Sequence, residues 1–161
     1  MLDQTNLSIM LKNKNLLKDK AYINGTWVDA RSGKSFEVVN PASGDVIVSV
    51  PDLDVYDARN AIDAAHQAFP HWSKKTAKER SIILNKFCKL MLENADDLAA
   101  ILTAEMGKPL AEAKGEITYG ASFIEWFAEE GKRVYGETIP GHQEDKRIIV
   151  SVSYTHLRAH E

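Results

Sequence analysis

The chain has 161 residues, 20 basic and 23 acidic side chains, a formal charge of −3 and one cysteine. That length holds either one domain with its own core or a piece of a larger one, and apolar and charged fractions of 44% and 27% argue against wholesale disorder. The balanced charge, with no dense lysine and arginine block, argues against a nucleic-acid partner, one cysteine excludes an internal disulfide and fits a reducing cytoplasm, and no segment is apolar for long enough to cross a bilayer.

Residues 1–20 read as a polar leader, because Asp3 and the following lysines interrupt every apolar run and leave no signal-peptide core. The pattern then becomes two-fold, and "YINGTWV", "FEVVN" and "DVIVSV" predict a small antiparallel sheet. Arg31-Ser32-Gly33-Lys34 is expected to close a hairpin between the first two runs, and Asn40-Pro41-Ala42-Ser43-Gly44 to make the next turn. From Asp54 the period is helical. Asp54 caps a first helix with Ala58, Ala61, Ile62, Ala65 and Phe69 on its apolar side, ended by Pro70. Thr76 and Glu79 form a capping box for a second, with Ile83, Phe87, Leu90 and Met91 as its stripe. Asn94 opens a third, acidic at Asp96 and Asp97 and stopped by Gly107. Leu110, Ala113, Ile117, Ala121, Ile124, Phe127 or Ala128, and Gly131 predict a fourth, long helix to about Tyr135, with Gly136 as its stop.

Tyr119, Phe123, Trp126 and Phe127 give this last helix a broad aromatic side. Rings so placed usually pack into a core, and the alternative is that part of the face lines a substrate tunnel. Cys88 sits mid-helix with no neighbouring base or helix N-terminus to lower its pKa, so it reads as buried filler. Glu129 and Glu130 are adjacent on a helix, point in different directions and are expected to face water. His66, His71 and His142 have no spaced partners, and neither a G-x-G-x-x-G motif nor a P-loop is present. His156 and His160 have the H-x-x-x-H spacing but lack the acid of a zincin and a third ligand. Motifs alone assign no catalytic, cofactor-binding or metal-binding residue.

A longer pattern is more specific. "AYINGTWVDARSGKSFEVVNPASGDVIVSVP", "TAKERSIILNKF" and "LTAEMGKPLAEAKGEITYGASFIEWFAEEGKRVYGETIPGHQEDKRIIV" together resemble the N-terminal part of the aldehyde dehydrogenase superfamily, from about Ala21 to Val150, and most of all its succinate-semialdehyde dehydrogenase branch. The resemblance implies an α/β fold in which a hairpin region, four helices and the start of an oligomerisation strand at Arg147 to Val150 form an incomplete Rossmann-like domain. It implies oxidation of succinate semialdehyde to succinate in 4-aminobutyrate degradation, with hydride passed to NADP or NAD, by a cytoplasmic homo-oligomer, dimer or tetramer. It also implies a cysteine nucleophile, an oxyanion-holding asparagine and a water-activating glutamate, all beyond residue 150, so that this chain binds no cofactor and is inert. On the same basis Gly115, Tyr119 and Phe123 are expected to border the substrate entrance, and carbonyls near Val38 and Val39 with Glu105 to match a monovalent cation site.

The pattern fails after Val150. Val152 to Glu161, "VSYTHLRAHE", resemble the translation of a common transposase sequencing adapter, so 151–161 is expected to be a non-native tail. Two other readings stand beside this one: a glutarate-semialdehyde or betaine-type aldehyde dehydrogenase piece, and a stand-alone helical and hairpin module that binds through its edge strand.

Overall fold

The computed structural model describes residues 10–152. The tail histidines and all of the tail from Ser153 lie outside these residues. The first strand-like run breaks at its centre, because Asn24 and Gly25 take φ values of 49° and 79°, as a tight primed turn requires. The run is therefore a hairpin in itself, β1 (Ala21–Ile23) against β2 (Thr26–Val28), with Tyr22 opposite Trp27. Arg31 to Lys34 consequently does not close a hairpin, contrary to the sequence expectation. It is a link in which Ala30 is buried and the Arg31 amide donates to Asp57. Asn40 to Gly44 does close the next pair, β3 (Ser35–Val39) against β4 (Val46–Pro51), with an irregularity between Val38 and Val39. Among the described residues these runs form two separate two-stranded sheets, instead of the single small sheet expected, and a further two-stranded sheet pairs β5 (Glu137–Pro140) with β6 (Arg147–Val150).

Four helices follow β4 among the described residues: α1 (Val55–Ser73), α2 (Ala77–Glu93), α3 (Ala95–Met106) and α4 (Leu110–Glu130). Asp54 with Asp57, and Thr76 with Glu79, form complete capping boxes at α1 and α2. Gly107 ends α3 at a φ of 78°, as predicted. Pro70 does not end α1, which continues through it to Ser73; near a C-terminus only the last turn loses a hydrogen bond. α4 ends at Glu130, short of Tyr135. Gly131, Lys132 and Arg133 donate to the carbonyls of Phe127, Glu129 and Glu130, and the Lys132 and Arg133 side chains fold back onto the carboxylates of Glu129 and Glu130.

Two small cores result. In one, Leu11, Ile47, Val48 and Ala104 form a cluster that Val38, Val50, Ala100 and Ile101 flank, so α3 lies on the β3–β4 hairpin. In the other, α4 packs on α2 and α3, with Ala113, Ala121 and Ala128 buried along α4 and Ser81 and Cys88 along α2. The predicted apolar stripes are only partly inward. Ile83, Phe87 and Leu90 of α2, and Ile62 and Phe69 of α1, are exposed.

Charge ties the helices at their ends. Asp96 takes ion pairs from Lys114 of α4 and from Lys12, and these hydrogen bonds, Lys114 first, hold its carboxyl below the usual range. Asp54 is lowered by the Asp57 backbone N–H first, and Glu79 by that of Thr76. A carboxyl with a depressed folded pKa contributes stability that is present above its unfolded pKa and is lost as pH falls through the folded value. The thermal midpoint should therefore hold from neutral pH to about pH 4 and fall below it, as circular dichroism melts across that range would show. A midpoint that rises on acidification would contradict these ties.

Candidate functional site

α4 is built with two faces. Its Ala113, Ala121 and Ala128 side turns inward, where small side chains allow close helix approach, and Gly120 lies against the Met91 side chain. The opposite side carries the rings. Tyr119 and Phe123 stand edge to face, with centroids 4.7 Å apart at 79°, and both are exposed. Trp126 and Phe127 continue this surface one turn on, as an open apolar groove that ends at Glu130 and Arg133. The four rings therefore do not pack into a core of this chain, which corrects the commoner expectation for them.

Gly115, Tyr119 and Phe123 fall on one stripe at four-residue steps. A Cβ at Gly115 would meet nothing within 4 Å, so the stripe has a gap one turn before Tyr119. The helix is anchored at its start by the left-handed turn at Gly107 and by Lys108, which pairs with Glu116. Sequence reasoning put Tyr119, Phe123, Trp126 and Phe127 on one side of the helix but favoured a core over an opening for them, and the resemblance added Gly115 to that side.

Other candidates are kept apart. Cys88 is buried on the inner side of α2, and the Asn85 amide one turn away donates to Ser81 and Glu129. Glu129 and Glu130 are half-buried instead of fully solvated, because each carries a basic partner; the Lys132 hydrogen bond is the first cause of Glu129's lowered pKa. His66, His71 and His142 are exposed. Val38 shares a cluster with Ala104, so the hairpin and the last turn of α3 meet one residue from Glu105, which is exposed. No group of three His, Cys, Asp or Glu side chains able to hold a metal occurs among the described residues.

The pattern from Ala21 to Val150, the two-faced α4 and the terminal hairpin can now be set beside known proteins. The profile described as "Aldehyde dehydrogenase family" matches residues 27–153. The chain belongs to the aldehyde dehydrogenase family. It is 58% identical over 142 residues to the glutarate-semialdehyde dehydrogenase of Pseudomonas putida, covering 88% of this chain and 30% of that one. It is 59% identical over 140 residues to the NADP(+) succinate-semialdehyde dehydrogenase GabD of Escherichia coli K12, covering 87% and 29%. A crystal structure of an E. coli NADP-dependent enzyme superposes with a TM-score of 0.84 at 59% identity, covering 86% of this chain and 29% of that one. The α/β arrangement of hairpins and four helices is thus that of the N-terminal part of the aldehyde dehydrogenase fold, and the chain spans about 30% of the length of these relatives.

Aldehyde dehydrogenases use NAD or NADP, and the residues here do not suit either cofactor. A pyrophosphate is held by a glycine-rich turn at a helix N-terminus, where free N–H groups and the dipole favour negative charge. The four described helices carry Asp57, Glu79, Asp96 with Asp97, and Glu112 in their first turns, and a carboxylate there repels a phosphate. No step of the reaction is assigned to this chain's own side chains.

Proposed function

We propose that the chain is the N-terminal third of an NAD(P)-dependent aldehyde dehydrogenase that oxidises a short semialdehyde with a terminal carboxylate. Succinate semialdehyde, with NADP, is the first substrate to test. The single observation that carries this reading is the 58% and 59% identity to enzymes named for glutarate and succinate semialdehyde, two aldehydes that differ by one methylene. That shared chemistry supports the substrate class. In the whole enzyme Gly115, Tyr119 and Phe123 border the substrate entrance, and β6 pairs between subunits of a cytoplasmic homo-oligomer. Residues 151–161 are an adapter-derived tail, which codons that differ from the adapter would refute.

Two measurements test this. The 161-residue chain incubated with succinate semialdehyde and NADP should give no NADPH absorbance, and turnover would overturn the assignment of the chemistry elsewhere. Residues 21–150 substituted for the matching segment of the E. coli enzyme should give an oligomer that oxidises succinate semialdehyde. A soluble, assembled chimera without activity would show that this segment comes from an enzyme for another aldehyde.

A further inference from the structure

We propose that residues 10–17 form a strap, and that the Asp97 carboxylate is the clip that holds it on the start of α3. Asp97 is the third residue of α3 and is 6% exposed. At α1 and α2 the acid in this position, Asp57 or Glu79, reaches back to its own N-cap backbone and completes a capping box. α3 has no side-chain cap, because the Asn94 amide donates backward to the Leu90 carbonyl. Its third-position acid is spent on the strap instead. One oxygen of Asp97 accepts the Lys12 amide at 3.0 Å and the other accepts the Asn13 amide at 2.8 Å.

The strap is shaped to meet this clip. Asn13 accepts the Asn15 amide with its side chain and opens the short turn Lys14–Leu16. Leu11 is buried against Ile47, Val48 and Ala104, Leu17 packs beside them, and Lys12 reaches Asp96, which also receives Lys114. Closed, the strap joins the β3–β4 hairpin, α3 and α4. Ordering eight residues costs more backbone entropy than one buried leucine and two half-buried leucines return. Two charge-assisted hydrogen bonds to a single buried carboxylate supply what is missing. The strap is therefore conditional: neutralising Asp97 frees it and uncovers the Ile47, Val48 and Ala104 cluster.

Amide hydrogen exchange on the 161-residue chain tests the clip. Lys12 and Asn13 should be protected, and Asp97→Asn should speed both by about tenfold or more, while Ala121 and Ala128 in α4 keep their protection. Leu11→Ala should speed Lys12 and Asn13 less than Asp97→Asn does. Unprotected Lys12 and Asn13 amides in the unmodified chain, unchanged rates in Asp97→Asn, or a larger effect of Leu11→Ala would each overturn the proposal. Should Asp97→Asn release α4 as well, Leu11→Ala decides: continued protection of the two amides supports the clip, and its loss overturns it.

Discussion

Ala121→Leu should be among the most damaging single substitutions in the described part of the chain. Ala121 is 1% exposed at the middle of α4, and the helix meets α2 and α3 through Ala113, Ala121 and Ala128. Leucine adds three heavy atoms to a fully buried position on the face by which α4 packs on α2 and α3. Overpacking a filled site costs about 1–3 kcal/mol, and a helix interface made of alanines has few side chains able to turn aside. A small domain has about 5–15 kcal/mol in total, so the loss is a large share of what holds the helices together. A urea titration followed by helical circular dichroism should show a clear drop in midpoint. Ser122→Leu, one residue on and exposed, should change stability by about 0.5 kcal/mol or less. Equal midpoints for the two variants would mean that α4 is not held through its alanine face.

That contrast also shows how far the sequence could be read. Local signals carried well: the N-caps Asp54 and Thr76, the stop at Gly107 and the Asn40 to Gly44 turn were visible because each depends on neighbours in the chain. The missed Asn24-Gly25 hairpin was equally local, and its dipeptide was on display. Helix faces were harder. For α2 the reading chose Ile83, Phe87, Leu90 and Met91 as the inner stripe, yet only Met91 of these turns toward α4, and the buried residues are Ser81 and Cys88. Hydrophobicity ranks side chains by their cost in water, whereas closeness to a partner helix is decided by size. In α4 the same rule left Phe127 or Ala128 open as the inward residue, and the smaller one is buried. The role of Asp97 could not be read at all, since its partners Lys12 and Asn13 are more than eighty residues away.

The candidate site divides in the same manner. Spacing put Tyr119 and Phe123 with Trp126 and Phe127 on one side and the resemblance singled out Gly115, Tyr119 and Phe123, but whether that side faces a core or an opening depends on what packs on the other side of α4. The exposed aromatic face and the exposed apolar side of α1 belong together. They fit relatives about three times as long as this chain.

Two glycine-to-alanine substitutions should have opposite signs, and the larger effect lies at the terminal hairpin. A Cβ on Gly136 would sit well inside van der Waals distance of the Val150 carbonyl oxygen, and one on Gly141 would be 2.5 Å from that of Lys146. The obstacles are backbone at the last residue of β6 and just before its first, and neither can move aside without losing the β5–β6 register of Glu137 with Val150 and Pro140 with Arg147. Gly136→Ala should therefore free the Thr138 and Ile149 amides to exchange, and in the chimera with the E. coli enzyme it should reduce assembly, because β6 is the strand proposed to pair between subunits. Gly115→Ala should do the reverse. Its position is an exposed helix interior with open space around it, so the added methyl should raise stability by about 0.8–1.0 kcal/mol through helix propensity. In the chimera the same methyl should enter the proposed substrate entrance and raise KM for the semialdehyde while leaving assembly intact. Assembly unchanged in Gly136→Ala would detach β6 from the subunit interface, and an unchanged KM in Gly115→Ala would detach Gly115 from the entrance.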